Sequence, residues 1–408
     1  MSRFVFFSSI RGWGGSEELW AGAAALLADS GHSVTIFKPG FDPNHPRICQ
    51  LLALGCRIRD LRQVGLPSGI RLPKPLARLA ESLVRISGRS TAQKAIRPLV
   101  RAHLAHLNPD LVLVCQGVNF DGLAYSDLCR TSGRPYAVIS QKATDYLWPS
   151  GKDRSLMRSA LQSALRCYFV SQHNLQLTEC QIGESLMNAE IVRNPFLVSG
   201  SPLPWPENKD NTIKLACVAR LETDEKGQDI ILRVLARPQW KNRNVSVSFF
   251  GAGHHGEALR ELARHLGLNN VDFRGFVSDV ESIWKTHHAL VLASRTEGLP
   301  LVLIEAMMCG RFGIVTNAGG SSEVVENSRT GFVANSATID DFDRAMERAW
   351  AVREEWEAMG KAAGIAVRTM VPLDPAAAFT AKLLGLVDPL TELSQNPGHV
   401  YAYTHKES

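Results

Sequence analysis

The sequence predicts an α/β protein made of two doubly wound parallel sheets that face each other across a cleft. Three observations carry that prediction. Short apolar runs alternate with stretches of helical spacing along the chain, loops rich in glycine or charge follow the apolar runs, and the pattern restarts after a Pro- and Gly-rich stretch near residue 200. At 408 residues the chain is too long for one ordinary core, so two domains are expected.

The hydrophobic and charged fractions, 45% and 21%, are those of a soluble globular protein. No N-terminal charged region precedes an apolar core, and no uninterrupted apolar run is long enough to span a bilayer, so a cytoplasmic location is expected. Eight scattered cysteines without a CxxC pair read as reduced thiols, not as a disulfide or zinc framework. The net charge of +5 is unevenly placed. Residues 1–206 hold 23 Lys+Arg against 14 Asp+Glu (+9), and residues 207–408 hold 22 against 26 (−4).

In the first half, an apolar run at 4–8 leads into Arg11-Gly12-Trp13-Gly14-Gly15-Ser16-Glu17-Glu18 and then a helical stretch. Strand, glycine loop, helix is the opening of a nucleotide-binding type of unit, although the spacing is not GxGxxG and the glycines could equally serve a tight turn. Further strands are expected at 34–37, 56–58, 111–115, 136–140, 168–171 and 190–193. Between them, residues 62–106 form a basic segment with nine Lys/Arg and one acid, Glu81, on a helical apolar pattern. That segment suits an anionic membrane surface or a phosphate-bearing acceptor, or else is a solvated helix face. Nucleic acid is not expected, because aromatics do not interleave with the basic residues.

After a linker at 201–211 the second half repeats the arrangement, with strands expected at 213–218, 245–250, 271–274, 289–293 and 312–316. Its loops carry Arg220, Lys226, Gly251 and the stretch Ser294 to Met307, which holds Glu297 and Glu305 eight residues apart. A strand end facing a helix N-terminus is where open α/β sheets bind ligands. Two cations there could clamp a diphosphate or serve solubility alone. The two carboxylates would repel phosphate and so fit neutral hydroxyls better, with Glu305 expected about two turns away along the helix. Residues 340–364 read as one helix, and 376–386 as a last one.

Residues 213–333 resemble the C-terminal domain of retaining glycosyltransferases of family 4. The resemblance rests on Ala219-Arg220-Leu221 with Lys226-Gly227, Phe250-Gly251-Ala252-Gly253, Glu297 to Glu305 as the E-x7-E motif, Gly319-Gly320, Glu323 and Gly331-Phe332. It implies the GT-B fold: a Rossmann-like acceptor-binding domain at 1–200, a Rossmann-like donor-binding domain at 212–371, and a tail at 372–408 whose helix crosses back to the first domain. It further implies hexosyl transfer from a nucleotide-diphosphate sugar to a glycan in surface polysaccharide synthesis, and the basic segment 62–106 motivates a lipid-linked acceptor at the inner face of the membrane. No metal or other cofactor is implied.

By the same resemblance, Arg220, Lys226 and Glu297 would be catalytic, the first two on the diphosphate and Glu297 on the sugar. Gly15, Gly251, Gly298, Leu299, Pro300, Leu301 and Glu305 would bind the donor, Glu305 through the ribose, and the loop after Arg274 would hold the base. Ser16 and Gln141 are candidate sugar or acceptor contacts. Gln141 stands where many relatives carry a histidine, and it cannot act as a base. Arg311-Phe312 follows Gly310 where the family often has a small residue and a proline, a difference that reads as a packing change. A nucleotide-sugar-binding protein without transferase activity and a nucleotide-sugar epimerase are the alternative readings.

Overall fold

A computed structural model describes residues 1–62, 89–207 and 211–388, with residues 89–96 described by their backbone alone. Most of the basic segment 62–106 and the chain end beyond 388 therefore lie outside the described residues. The first sheet comprises β1 (Arg3–Ser8), β2 (Ser33–Lys38), β3 (Arg57–Asp60), β4 (Leu111–Gln116), β5 (Tyr136–Ser140), β6 (Arg166–Phe169) and β7 (Ala189–Ile191), in spatial order β3-β2-β1-β4-β5-β6-β7. The second comprises β8 (Ile213–Val218), β9 (Val245–Phe250), β10 (Val271–Gly275), β11 (Ala289–Leu292), β12 (Phe312–Thr316) and β13 (Gly331–Ala334), in order β10-β9-β8-β11-β12-β13. Every pairing is parallel.

Central parallel strands are covered by helices on both faces, which is why they read as continuous apolar runs and not as alternations. All six residues of β4 and all five of β5 and β12 are buried. The two faces of a strand still serve different packings. Phe4 and Phe6 join Trp20 and Leu27 on one side of the first sheet, while Val5 and Phe7 join Phe37 and Tyr125 on the other.

In each sheet the strand order reverses once, between β1 and β4 and between β8 and β11, and the crevice at such a reversal is where doubly wound proteins bind ligands. The link between the domains is fastened to the second one. Leu197 N–H donates to Glu305, Ser199 N–H to Glu281 and Leu203 N–H to the Cys309 carbonyl. Arg368 donates to the carbonyls of Gly200 and Met308. The chain then returns: the helix Pro375–Val387 packs on the first helix, Gly15–Asp29, with Phe379 edge-on to Tyr168 and Lys382 paired with Glu190.

The expected helix at 340–364 is two, Ile339–Ala351 and Trp356–Met370, separated by Val352 and a 3₁₀ turn at Arg353–Glu355. The break turns Trp356 into the core, where its ring meets Phe312 edge-on at 4.9 Å and its Nε1–H donates to the Ala349 carbonyl. The stretch Arg353–Val387 is apolar in composition. Its two α-helices have 15 and 13 residues, short of the roughly 20 that cross a bilayer.

Arg311 is 1% exposed and has no carboxylate partner among the described residues. Its guanidinium donates to the carbonyls of Trp284, His287, Leu203, Pro204, Cys309 and Gly310. It thereby closes two helix C-termini and ties the interdomain link to the second domain. Burial pulls its pKa down to about 10.

Candidate active site

The loops that follow the strands of the two sheets meet each other. Gly15, after β1, lies against Leu301, after β11; Gln141, after β5, lies against Gly298; and Ser171, after β6, lies against Gly320, after β12. Polar contacts cross at the same level. His173 N–H donates to Glu323 at 2.8 Å, and Lys142 donates to Glu225 at 2.7 Å.

At the reversal of the second sheet, β8 supplies cations and β11 carboxylate. Lys226 ends the single helical turn Thr223–Lys226, and its Nζ donates to Glu297 Oε1 at 2.6 Å. Ser294 Oγ donates to the same oxygen at 2.8 Å, so the 6%-exposed Glu297 carboxylate is held from two sides. Arg220 is the exposed member. Its guanidinium lies 2.9 Å from Glu225 Oε2 and 3.3 Å from Glu222, and its backbone carbonyl accepts from Gln228. Glu225 thus bridges Arg220 and Lys142, one from each domain. Burial works to raise its pKa, but the hydrogen bond and charge of Lys142, aided by Arg220 and Lys226, hold the carboxyl below its ordinary value.

Glu305 has a different environment. The helix starts at Leu301, with Pro300 as its N-cap, so Glu305 lies just over one turn in and not two turns away as the spacing suggested. Its buried carboxylate accepts the Leu197 N–H at 2.9 Å. Burial raises its pKa, with that hydrogen bond opposing.

Beside Arg220, the loops after β9 and β10 complete the edge. Gly251 has φ +134°, and a Cβ there would sit 2.0 Å from the Ala219 carbonyl oxygen, so only glycine lets the loops after β8 and β9 close together. Gly251 N–H donates to the Gly275 carbonyl at 2.7 Å, and the next residue, Phe276, is 78% exposed. Leu299 is buried beneath Gly320. On the facing domain, Ser16 is the second residue of the first helix and half-buried. Gln141 is 5% exposed; its Oε1 accepts from Asn194 at 2.6 Å, and its buried Nε2 has no partner among the described residues.

Arg220, Lys226, Glu297, Gly298, Leu299, Pro300, Leu301 and Glu305 therefore gather with Gly251 along one edge of the second sheet, and Gly15 and Gln141 meet that edge from the first. Sequence reasoning missed Lys142, Ser294 and the Glu225 bridge. Glu225 stands directly before Lys226, and that adjacency was the one local signal.

Residues 204–364 match the family model described as Glycosyl transferases group 1. Across nearly the whole chain the structure superposes on Anabaena HepE in complex with UDP, with a TM-score of 0.72 and 17% identity over 94% of this chain and 99% of that one. The fold is GT-B. In sequence, the curated proteins named next match part of this GT-B chain. A Mycobacterium tuberculosis GDP-mannose-dependent alpha-(1-6)-phosphatidylinositol monomannoside mannosyltransferase is 31% identical over 160 residues, 36% of this chain and 41% of the relative. A glycogen synthase of Pseudomonas syringae pv. syringae is 27% identical over 205 residues, 50% of this chain and 38% of the relative. The matched segments thus span about two fifths of the relatives' length.

Proposed function

We propose that this GT-B protein is a retaining family 4 glycosyltransferase, moving a hexosyl group from a nucleotide-diphosphate sugar to a glycan or lipid-linked acceptor in surface polysaccharide synthesis. The observation that carries the reading is the Lys226–Glu297 pair at the reversal of the second sheet, with the exposed Arg220 beside it. A diphosphate entering there would draw Arg220 from its exposed contacts with Glu222 and Glu225 and share Lys226 with Glu297. As the glycosidic C–O bond breaks, negative charge grows on the departing diphosphate, and the two cations stabilise it without a metal or bound cofactor. Glu297, held by Ser294, accepts from hydroxyls of the transferred sugar. Glu305 accepts from the ribose, and the exposed ring of Phe276 offers the base a stacking face.

Retention follows if the acceptor hydroxyl attacks from the leaving-group side, its proton passing to the diphosphate. Gln141 has an amide nitrogen without a partner among the described residues, which suits a sugar oxygen and cannot take that proton. The acceptor binds the first domain, at the inner face of the membrane, and the basic segment 62–106 contacts its anionic lipids. The test is incubation of purified protein with a panel of UDP- and GDP-sugars and candidate acceptors, with the product's anomeric configuration read by NMR. A retained anomer formed in the presence of a chelator supports the reading. Donor binding without turnover, or epimerised donor, would replace it with a binding protein or an epimerase.

A further inference from the structure

The chain leaves β5 through residues 141–150, a loop with two unlike parts. Its stem is built into the first domain by buried amides. Gln141 N–H donates to the Gln116 carbonyl, Asn119 N–H donates to the Lys142 carbonyl, Ala143 N–H donates to Asn174 Oδ1, and Gln181 Nε2 donates to the Thr144 carbonyl at 2.7 Å. Asn119, Asn174 and Gln181 are at most 1% exposed, and Asn119 in turn donates to Gln181 and Thr178. The tip is the reverse. Tyr146, Leu147 and Trp148 are 75%, 46% and 62% exposed, three consecutive large apolar residues that contribute little to the core. A rigid stem that presents such a tip to water needs a reason beyond folding.

The surroundings indicate the partner. The helix that follows, Gly151–Gln162, begins with the exposed Lys152 and Arg154, which have no ion pair among the described residues. Cations in the first turn oppose the helix dipole, so they are not there to stabilise the helix. From Lys142 to Arg166 the chain carries five basic residues (Lys142, Lys152, Arg154, Arg158, Arg166) against two acids, Asp145 and Asp153. Tyr and Trp with a polar edge, a neighbouring Leu and flanking cations are the chemistry of an anionic membrane interface. A neutral glycan would use the aromatic faces but has no use for Leu147 or for the cations.

We infer that Tyr146, Leu147 and Trp148 form an interfacial anchor that inserts into an anionic membrane surface, with Lys152 and Arg154 on the headgroups. The tip extends from the stem that holds Gln141 and Lys142, and Lys142 donates to Glu225 on the facing domain. Docking by this tip would bring the mouth of the cleft onto the membrane surface. The inference rests on the proposed function only for the benefit this brings, which is access to a lipid-linked acceptor.

Flotation with vesicles of phosphatidylcholine alone and of equimolar phosphatidylcholine and phosphatidylglycerol tests it. The full chain should float with the anionic vesicles, and the Tyr146→Ser/Leu147→Ser/Trp148→Ser variant should lose most of that binding. Lys152→Gln with Arg154→Gln should weaken it about fivefold per charge removed. Acyl-brominated lipid should quench part of the tryptophan emission of the wild type but less in Trp148→Phe. Equal flotation of wild type and triple-serine variant, or no flotation of the wild type, overturns the inference. So does protection of Trp148 from acrylamide by a soluble oligosaccharide without any lipid effect, which would make the tip a glycan platform. An unchanged thermal transition, and an unchanged thermal shift with UDP or GDP in the triple variant, separate loss of this anchor from misfolding and from failure of the donor-site reading.

Discussion

Lys226 Nζ and Glu297 Oε1 lie 2.6 Å apart, although 71 residues separate them in sequence, because β8 and β11 are neighbours at the reversal of the second sheet. Their side chains are 17% and 7% exposed, so each sets the environment of the other. Removing either leaves its partner short of a hydrogen bond in a poorly solvated place.

Lys226→Ala should therefore do more than lower donor affinity. Loss of a cation aimed at a developing negative charge typically costs about 10²–10³ in rate. We expect kcat/KM to fall by that factor, and Ser294→Ala to have a smaller effect in the same direction. A double-mutant cycle between Lys226→Ala and Glu297→Gln should give a coupling of about 1 kcal/mol or more. Additive effects measured in that cycle would mean that the pair does not act together.

For Glu305 the expected signature is a pH dependence. Its folded-state pKa is raised by burial, so the neutral form suits the fold better than the carboxylate. The stability this group contributes is complete below its ordinary value of 4.5 and is lost as pH rises through the raised folded value. Glu305→Gln keeps an acceptor for the Leu197 N–H and never ionises. It should match the wild type in urea denaturation below that window and exceed it at neutral pH. With the ribose contact proposed for Glu305, affinity for a nucleotide sugar should fall about tenfold, the worth of one charge-assisted hydrogen bond. A variant less stable than wild type at neutral pH would show that the carboxylate is needed by the link as well.

Arg311 offers a test confined to the architecture. With six different carbonyls depending on one buried guanidinium, Arg311→Met should cost about 3–5 kcal/mol in chemical denaturation. Arg311→Lys should recover little, since an ammonium has three donors and cannot span the same fork. A loss under about 1 kcal/mol for the methionine variant would mean that water replaces the guanidinium.

What could be read from the sequence follows from the range of each interaction. Fully covered parallel strands announce themselves as apolar runs, and loops at their ends collect the glycines and charges, so Arg220, Lys226, Gly251, Glu297 and Glu305 could be grouped before any fold was drawn. The chain gives no local sign of contacts formed between domains. Lys142 meets Glu225 across 83 residues, Leu197 meets Glu305 across 108 and His173 meets Glu323 across 150. The arginine at 311 looked like a packing change because its six acceptors come from scattered backbone, which has no side-chain signature. Lys38 and Glu17 were similarly hidden: both are essentially buried and paired with each other, Lys38 one residue past the strand expected at 34–37 and Glu17 at the end of the first glycine loop.

Two glycines at the cleft make opposite predictions from the same geometry. A Cβ on Gly298 would lie 1.9 Å from the Gln141 carbonyl oxygen and 3.1 Å from Val170, both in the other domain, and backbone cannot step aside. A Cβ on Gly15 would lie 2.5 Å from Leu301 Cδ1, the far end of a side chain that can change rotamer. Gly298→Ala should therefore push the domains apart, enlarge the radius of gyration in small-angle scattering and lower activity by about 10² or more, because a shift of about 1 Å between reacting groups costs that much. Its melting transition should change little, since each domain keeps its own core. Gly15→Ala should stay within about tenfold of wild type and be restored by Leu301→Ala, which removes the obstructing atoms. If both glycine variants are equally inactive with unchanged scattering, the cleft contact between Gly298 and Gln141 is not what sets the working distance between the domains.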